Sequence, residues 1–189
     1  MRFAFVALAS TAMLIAGCNW KDGQANSSQG NISADGRVAT NAIGTTVATP
    51  TGAPKTKDEA LQVMHERHEG MEQIGKATKA AGRELKSGSP NLETIRASAK
   101  TMSDLAPHVG SWFPKGTGPD VGKTGAKPEI WAAGNEQDFT KKVSDFQKAV
   151  QAFSAAAGGN DVSAIKSSFA DLGGTCKACH DKYRSEMKH

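Results

Sequence analysis

Residues 176–180 read Cys-Lys-Ala-Cys-His, close to the C-terminal end of the chain. Two thiols three positions apart lie on one side of a helix, so both can form thioether bonds to the vinyl groups of one haem. The imidazole of His180 follows directly and can bind the iron from the same side. The pattern predicts one covalent haem c, with Cys176 and Cys179 as its attachment points and His180 as the proximal axial ligand of the iron.

Two other interpretations of this motif remain open from the residues alone. A thioredoxin-like dithiol would follow a strand in a βαβ unit, and the sequence has no segment of that kind. A zinc site needs four nitrogen or sulfur ligands, often from two cysteine pairs. The chain has three cysteines, and the third, Cys18, lies far from the motif. We prefer haem because it uses both thiols and the histidine.

The N-terminus predicts export and a lipid anchor. A positively charged start precedes a short apolar run that ends Ile-Ala-Gly before Cys18, which is typical of a secretory signal rather than a membrane span. The ending resembles a bacterial lipoprotein box, so we expect residues 1–17 to be removed and Cys18 to be acylated. Several acyl chains would hold the protein on a periplasmic membrane surface, and Asn19 is compatible with the outer membrane. The alternative is an ordinary secretory signal that leaves Cys18 free.

Residues 18–55 are rich in Gly, Ser, Thr and Asn and contain few large apolar side chains. Such a composition cannot bury enough surface to offset its ordering entropy, so we predict a flexible tether. The whole chain has 23 Lys and Arg against 19 Asp and Glu, a formal net charge of +4. Two haem propionates would reduce that charge, and we expect no nucleic-acid partner.

Residues 56–189 form the predicted haem domain, in which apolar residues recur at steps of three and four. The pattern predicts helices over about 57–87, from Leu92 to near Pro107, from about Phe139 to Gly158, and from Asp161 through the haem motif. Mostly short connections between amphipathic helices predict an all-α, up-and-down four-helix bundle. Because both cysteines continue the apolar stripe of the last helix, the haem c should lie in the core against that helix.

Three stretches of this domain resemble the cytochrome c′ family of class II c-type cytochromes, which includes the cytochrome c-556 branch. Residues 67–75 (RHEGMEQIG) resemble the family pattern Arg-x-x-x-Met/Leu-x-x-x-Gly. Residues 127–131 (KPEIW) resemble a motif before the third helix, and residues 176–184 (CKACHDKYR) resemble the family's C-terminal end. The resemblance covers about residues 57–187 and implies the same roles for the two cysteines and the histidine.

The resemblance also implies haem surroundings. Arg67 corresponds to an arginine near a haem propionate, and Thr124 lies in a loop that approaches the propionates. His68 stands where relatives often have glutamine. Arg184 corresponds to an arginine near the proximal imidazole, and as one turn beyond His180 it should face the same way, although an ordinary surface arginine would also suit the end of a helix.

Met71 corresponds to the residue on the distal side of the iron, and three roles follow. If its thioether binds the iron as a sixth ligand, the protein would be an electron carrier with a raised reduction potential. If it only packs over a five-coordinate iron, NO or CO could bind or be sequestered there. Methionine at helical spacing is also an ordinary core residue. His68, one turn earlier, is the competing distal ligand.

No residue pattern of the sequence indicates a catalytic site. The sequence shows no nucleophile with a base, no carboxylate pair and no phosphate-binding loop. A peroxidase would need distal acid–base groups, which Met71 does not offer. We therefore predict a periplasmic haem protein that is not an enzyme. Its redox partner is not identified by the sequence, and the resemblance raises a homodimer as one assembly.

Overall fold

The computed structural model describes residues 52–185. The predicted signal peptide, the lipid attachment residue Cys18 and most of the tether lie outside the described residues. Four α-helices occur in chain order: α1 Lys57–Lys86, α2 Leu92–Leu105, α3 Glu136–Gly158 and α4 Val162–Tyr183. The α2–α3 connection, residues 106–135, contains three short 3₁₀ helices at Ala106–His108, Gly110–Trp112 and Pro128–Trp131.

Polar side chains fix where three of the helices begin. Thr56 and Glu59 form a reciprocal capping box at the start of α1. The side chains of Asn91 and Asp161 accept hydrogen bonds from the first free backbone N–H groups of α2 and α4. Each cap satisfies donors that have no partner inside the helix, which is worth about 1 kcal/mol.

The apolar stripes of the four helices meet in one core, which we call the main cluster. Each helix packs against the next along the chain, and α4 returns to α1. The largest side chains that are fully buried there are Phe153, Ile95, Met102, Ile165 and Leu172. The prediction of an all-α, up-and-down four-helix bundle is confirmed. Within residues 52–185, no helix combines the length and the apolar character needed to span a membrane.

A smaller apolar cluster joins the α2–α3 connection to the end of α4. This second cluster is centred on Ala126, Ile130 and Tyr183. The backbone completes the contact, because Lys127 N–H donates to the Tyr183 carbonyl and Ser185 N–H donates to the Gly125 carbonyl, each at 2.9 Å. The connection is therefore fastened directly beside the haem motif.

Gly70 lets the α2–α3 connection approach α1. The indole ring of Trp112, itself only 5 % exposed, lies directly over Gly70, and a Cβ atom added there would overlap three atoms of that ring. Gly75, five residues later on the same helix, has open space around the position of a Cβ atom. The two glycines therefore have different roles on one helix.

Gly70→Ala should lower the free energy of unfolding by about 1–3 kcal/mol, because the new methyl group overpacks the contact with Trp112. Gly158→Ala, near the end of α3, is the matched control and should raise it by up to about 1 kcal/mol, since alanine favours the helix and meets no neighbour. Urea denaturation of the two haem-loaded variants measures both effects. Equal stabilisation by the two substitutions would contradict the close contact at Gly70.

Candidate haem site

Both cysteines of the motif lie on the inner side of α4 and are half-buried. Cys176 packs against the main cluster and Cys179 against the second cluster, so the pair lies where the two clusters approach each other. Neither thiol is in a disulfide. Burial raises the pKa of both thiols, and for Cys179 the positive charge of Lys142 partly opposes that rise. At neutral pH the two side chains are therefore protonated thiols on an apolar face.

His180 follows Cys179 on the last turn of α4, and its side chain is exposed. Partial desolvation by neighbouring atoms lowers the pKa of its imidazole, and the positive charge of Arg184 lowers it further. Both effects favour the neutral imidazole at neutral pH, which is the form that binds metals.

The backbone changes conformation at Arg184, directly after the last residue of α4. The helix ends at Tyr183, and Arg184 has an extended backbone that forms an isolated antiparallel bridge with Ala126. The Arg184 N–H still donates to the His180 carbonyl at 3.0 Å, so Arg184 lies one turn after His180 while the α2–α3 connection pairs with its backbone. Arg184 is exposed, yet its charge still acts on the His180 imidazole.

Arg67 of α1 is buried and holds the α2–α3 connection. Its two terminal nitrogens donate four hydrogen bonds: to the Trp112 carbonyl at 3.3 Å, the Thr117 hydroxyl at 3.1 Å, the Thr117 carbonyl at 3.0 Å and the Thr124 hydroxyl at 2.9 Å. The guanidinium is also 5.0 Å from the centre of the Phe113 ring. Burial lowers the pKa of Arg67 to about 10, so it remains charged at neutral pH.

These contacts bring Arg67 and Thr124 together, two residues that the resemblance placed near the propionates. The hydrogen bonds also occupy every N–H of the two terminal nitrogens, which leaves the Nε–H of Arg67 as its remaining donor. Trp112 and Thr117 complete this network, and sequence reasoning did not assign them a role. The one sign of their role in the sequence is that a tryptophan and a threonine occur in a loop otherwise rich in Gly and Pro.

Met71 and His68 are one turn apart on α1 and differ in burial. Met71 is half-buried and packs against the same main cluster as Cys176. His68 is exposed, and its ring nitrogens lie near the carboxylates of Glu69 and Glu72. Of these two candidates for the distal side, Met71 is therefore the one in contact with the core.

A polar network lies beside the haem motif, and the sequence did not predict it. The hydroxyl of the buried Tyr183 donates to the Asp138 carboxylate at 2.7 Å, and Lys182 pairs with the same carboxylate at 3.0 Å. These contacts hold the pKa of Asp138 below its usual range, the Tyr183 hydrogen bond most strongly. The network ties α3 to the last turn of α4, and no short-range pattern could have revealed a contact across 45 residues.

The donor set fits a covalent haem. Two unpaired thiols on an apolar face can form the thioether bonds, and the neutral imidazole next to them suits iron. A closed structural zinc site would need a fourth protein ligand near these three, and among residues 52–185 the one group of three or more potential metal ligands is the exposed set on α1.

Comparison with known proteins identifies the same family. The profile described as Cytochrome C' matches residues 62–184. Cytochrome c' of Alcaligenes xylosoxydans xylosoxydans is 32% identical over 139 residues, which span 74% of this chain and 98% of that protein.

Solved structures agree with the sequence comparison. The crystal structure of cytochrome c' from Thermochromatium tepidum is 32% identical, with a TM-score of 0.62 over 67% of this chain and 97% of that one. A nitric oxide complex of the L16A mutant of cytochrome c prime from Alcaligenes xylosoxidans is 26% identical, with a TM-score of 0.60 over 71% of this chain and 99% of that one. Proteins of this family bind covalent haem c with its iron, and the chain belongs to the cytochrome c′ family.

Proposed function

We propose that this protein is a one-electron carrier whose haem is bound through Cys176 and Cys179 and whose iron has His180 and Met71 as its axial ligands. When bound, the haem supplies a one-electron iron couple. A thioether is a soft ligand that favours the reduced iron and raises the reduction potential. We assign no catalytic residue to the chain.

One observation carries this proposal. Met71 is half-buried and packs against the cluster that also receives Cys176, whereas its competitor His68 is exposed. A methionine that packs against the same cluster as an attachment cysteine is a suitable candidate for the ligand on the distal side of the iron. Desolvation and the charge of Arg184 favour the neutral form of the His180 imidazole, which supports its role as the proximal ligand of the iron.

The surrounding residues hold these ligands in position. Arg67 lies one turn before Met71 and anchors α1 to the α2–α3 connection through Trp112, Thr117 and Thr124. The Nε–H that these contacts leave available would suit one haem propionate. Tyr183 and Asp138 fix the end of α4 next to His180. These contacts limit movement of the two helix segments that carry the proposed ligands.

A second candidate function is the binding of a small neutral gas at a five-coordinate iron. The observation that favours it is the nitric oxide complex reported for a structurally similar cytochrome c prime. In that case Met71 packs over the iron without binding it, and NO or CO would compete only with van der Waals contacts. The two candidates therefore differ in a single bond, that between the Met71 sulfur and the iron.

We infer a periplasmic location, because the haem motif and the predicted signal peptide imply the same exported route. Acylation of Cys18 would anchor the protein to a membrane, with residues 18–55 as the spacer. A homodimer is an expectation from the resemblance.

Replacement of both Cys176 and Cys179 by alanine should abolish covalent haem, because no thiol remains at α4 to form a thioether bond. Haem staining after denaturing electrophoresis of cells that express the maturation machinery measures the loss. Each single variant retains one attachment point and should keep part of the signal. Undiminished staining of the double variant would refute the attachment proposed here.

Met71→Leu should convert a low-spin haem into a high-spin haem that binds CO readily. Leucine fills nearly the same volume, so the change costs less than about 1.5 kcal/mol in stability and removes only the sulfur ligand. Absorption spectra of both oxidation states and stopped-flow CO binding record the change. Wild type should bind CO slowly, since the sulfur must leave first.

Two buried methionines provide matched controls for this experiment. Met64→Leu and Met102→Leu replace buried thioethers elsewhere in the bundle and should leave the spectrum and the rate of CO binding unchanged. A wild-type protein that is already high-spin, with CO kinetics equal to those of Met71→Leu, would exclude electron transfer through a Met71 ligand. It would establish the gas-binding function instead.

Cys18→Ser should release the protein from the membrane fraction into the soluble periplasm with its haem spectrum unchanged, because the acyl chains are lost and the haem domain is untouched. Fractionation and mass spectrometry of the mature N-terminus measure this. A wild-type protein that is already soluble, with no acyl group on Cys18, would contradict the lipid anchor.

A further inference from the structure

We propose that His68, Glu69 and Glu72 form a surface site on α1 for a divalent transition-metal ion, of which zinc is the representative. The imidazole and the two carboxylates each offer one ligand atom, and these three atoms lie within 4.8 Å of one another. All three side chains are exposed, so an ion can reach them directly from solvent. The site has no part in the proposed electron transfer and goes beyond it.

The helix brings these side chains together. His68 and Glu72 are four residues apart and Glu69 and Glu72 are three apart, the two spacings at which side chains of one helix are neighbours. Two ligands of one tetrahedral zinc are separated by about 3.4 Å, given bonds of about 2.0–2.2 Å. The observed separations therefore close through small rotations of exposed side chains, while the backbone of α1 stays in place.

The charge and the donor types select the kind of ion. A neutral imidazole with two carboxylates carries two negative charges, which a divalent cation neutralises. Zinc accepts histidine and carboxylate ligands together and uses water in a fourth position, whereas calcium and magnesium prefer oxygen ligands alone. The imidazole therefore favours zinc over magnesium.

The nearest basic group does not block the ion. Lys76 pairs with Glu72 at 3.0 Å, and both side chains are largely exposed. Surface ion pairs of this kind contribute little stability, so a divalent ion can displace the ammonium group from the carboxylate. Met71 is half-buried against the main cluster, whereas the three proposed ligands are exposed to solvent.

Isothermal titration of the full-length holoprotein, without an affinity tag, with zinc chloride tests the site. Wild type should bind one zinc ion that His68→Ala and Glu72→Gln each weaken at least tenfold. Both residues are exposed, so these variants should fold, which circular dichroism checks, and either variant alone suffices as a test. His108→Ala removes an exposed imidazole from the α2–α3 connection and should leave zinc affinity unchanged.

Several results would overturn the site. One is that wild type does not bind zinc, and another is that His68→Ala binds zinc as tightly as wild type. A third is that His108→Ala loses as much zinc affinity as His68→Ala does. The last is that wild type binds magnesium as tightly as zinc. The haem spectrum recorded during the titration should not change. The haem spectrum therefore separates this test from the test of Met71 as an iron ligand, because either proposal can fail while the other holds.

Discussion

The buried guanidinium of Arg67 is the constraint on which the site depends. A charge taken out of water is costly unless each of its donors finds an acceptor. Here the acceptors are two backbone carbonyls and two threonine hydroxyls of the α2–α3 connection. Hydrogen bonds to a charged group contribute about 1.5–3 kcal/mol each. The long connection therefore cannot move away from α1 without leaving that charge unpaired. Because Trp112 belongs to this connection, its ring is held against Gly70.

The same connection also holds the other side of the site. Just after Thr124, the backbone of residues 125–127 pairs with residues 183–185, at the end of the helix that carries the haem motif. Arg67, one turn before Met71, is thus linked through one loop to Tyr183, three residues after His180. The two proposed axial ligands are positioned by opposite ends of one continuous set of contacts. A substitution in this loop should therefore affect both sides of the haem.

Much of this architecture could be predicted from local patterns. Helix positions follow from apolar spacing and from caps such as Asn91 and Asp161, because these depend on residues only three or four positions apart. The haem motif is equally local. Contacts such as Tyr183 with Asp138 or Arg67 with Thr117 join residues 45 and 50 positions apart, and no periodicity encodes them. The backbone bridge between Arg184 and Ala126 is non-local in the same way, since the connection and the end of α4 are far apart in sequence.

The proposal that one haem is attached to α4 is tested most directly by peptide mapping of the mature wild-type protein. After denaturation, acid–acetone extraction and alkylation, mass spectrometry should find a single haem on the peptide that contains Cys176 and Cys179, with neither thiol alkylated. Recovery of that peptide with both cysteines alkylated, and of the haem in the organic phase, would contradict covalent attachment at this site.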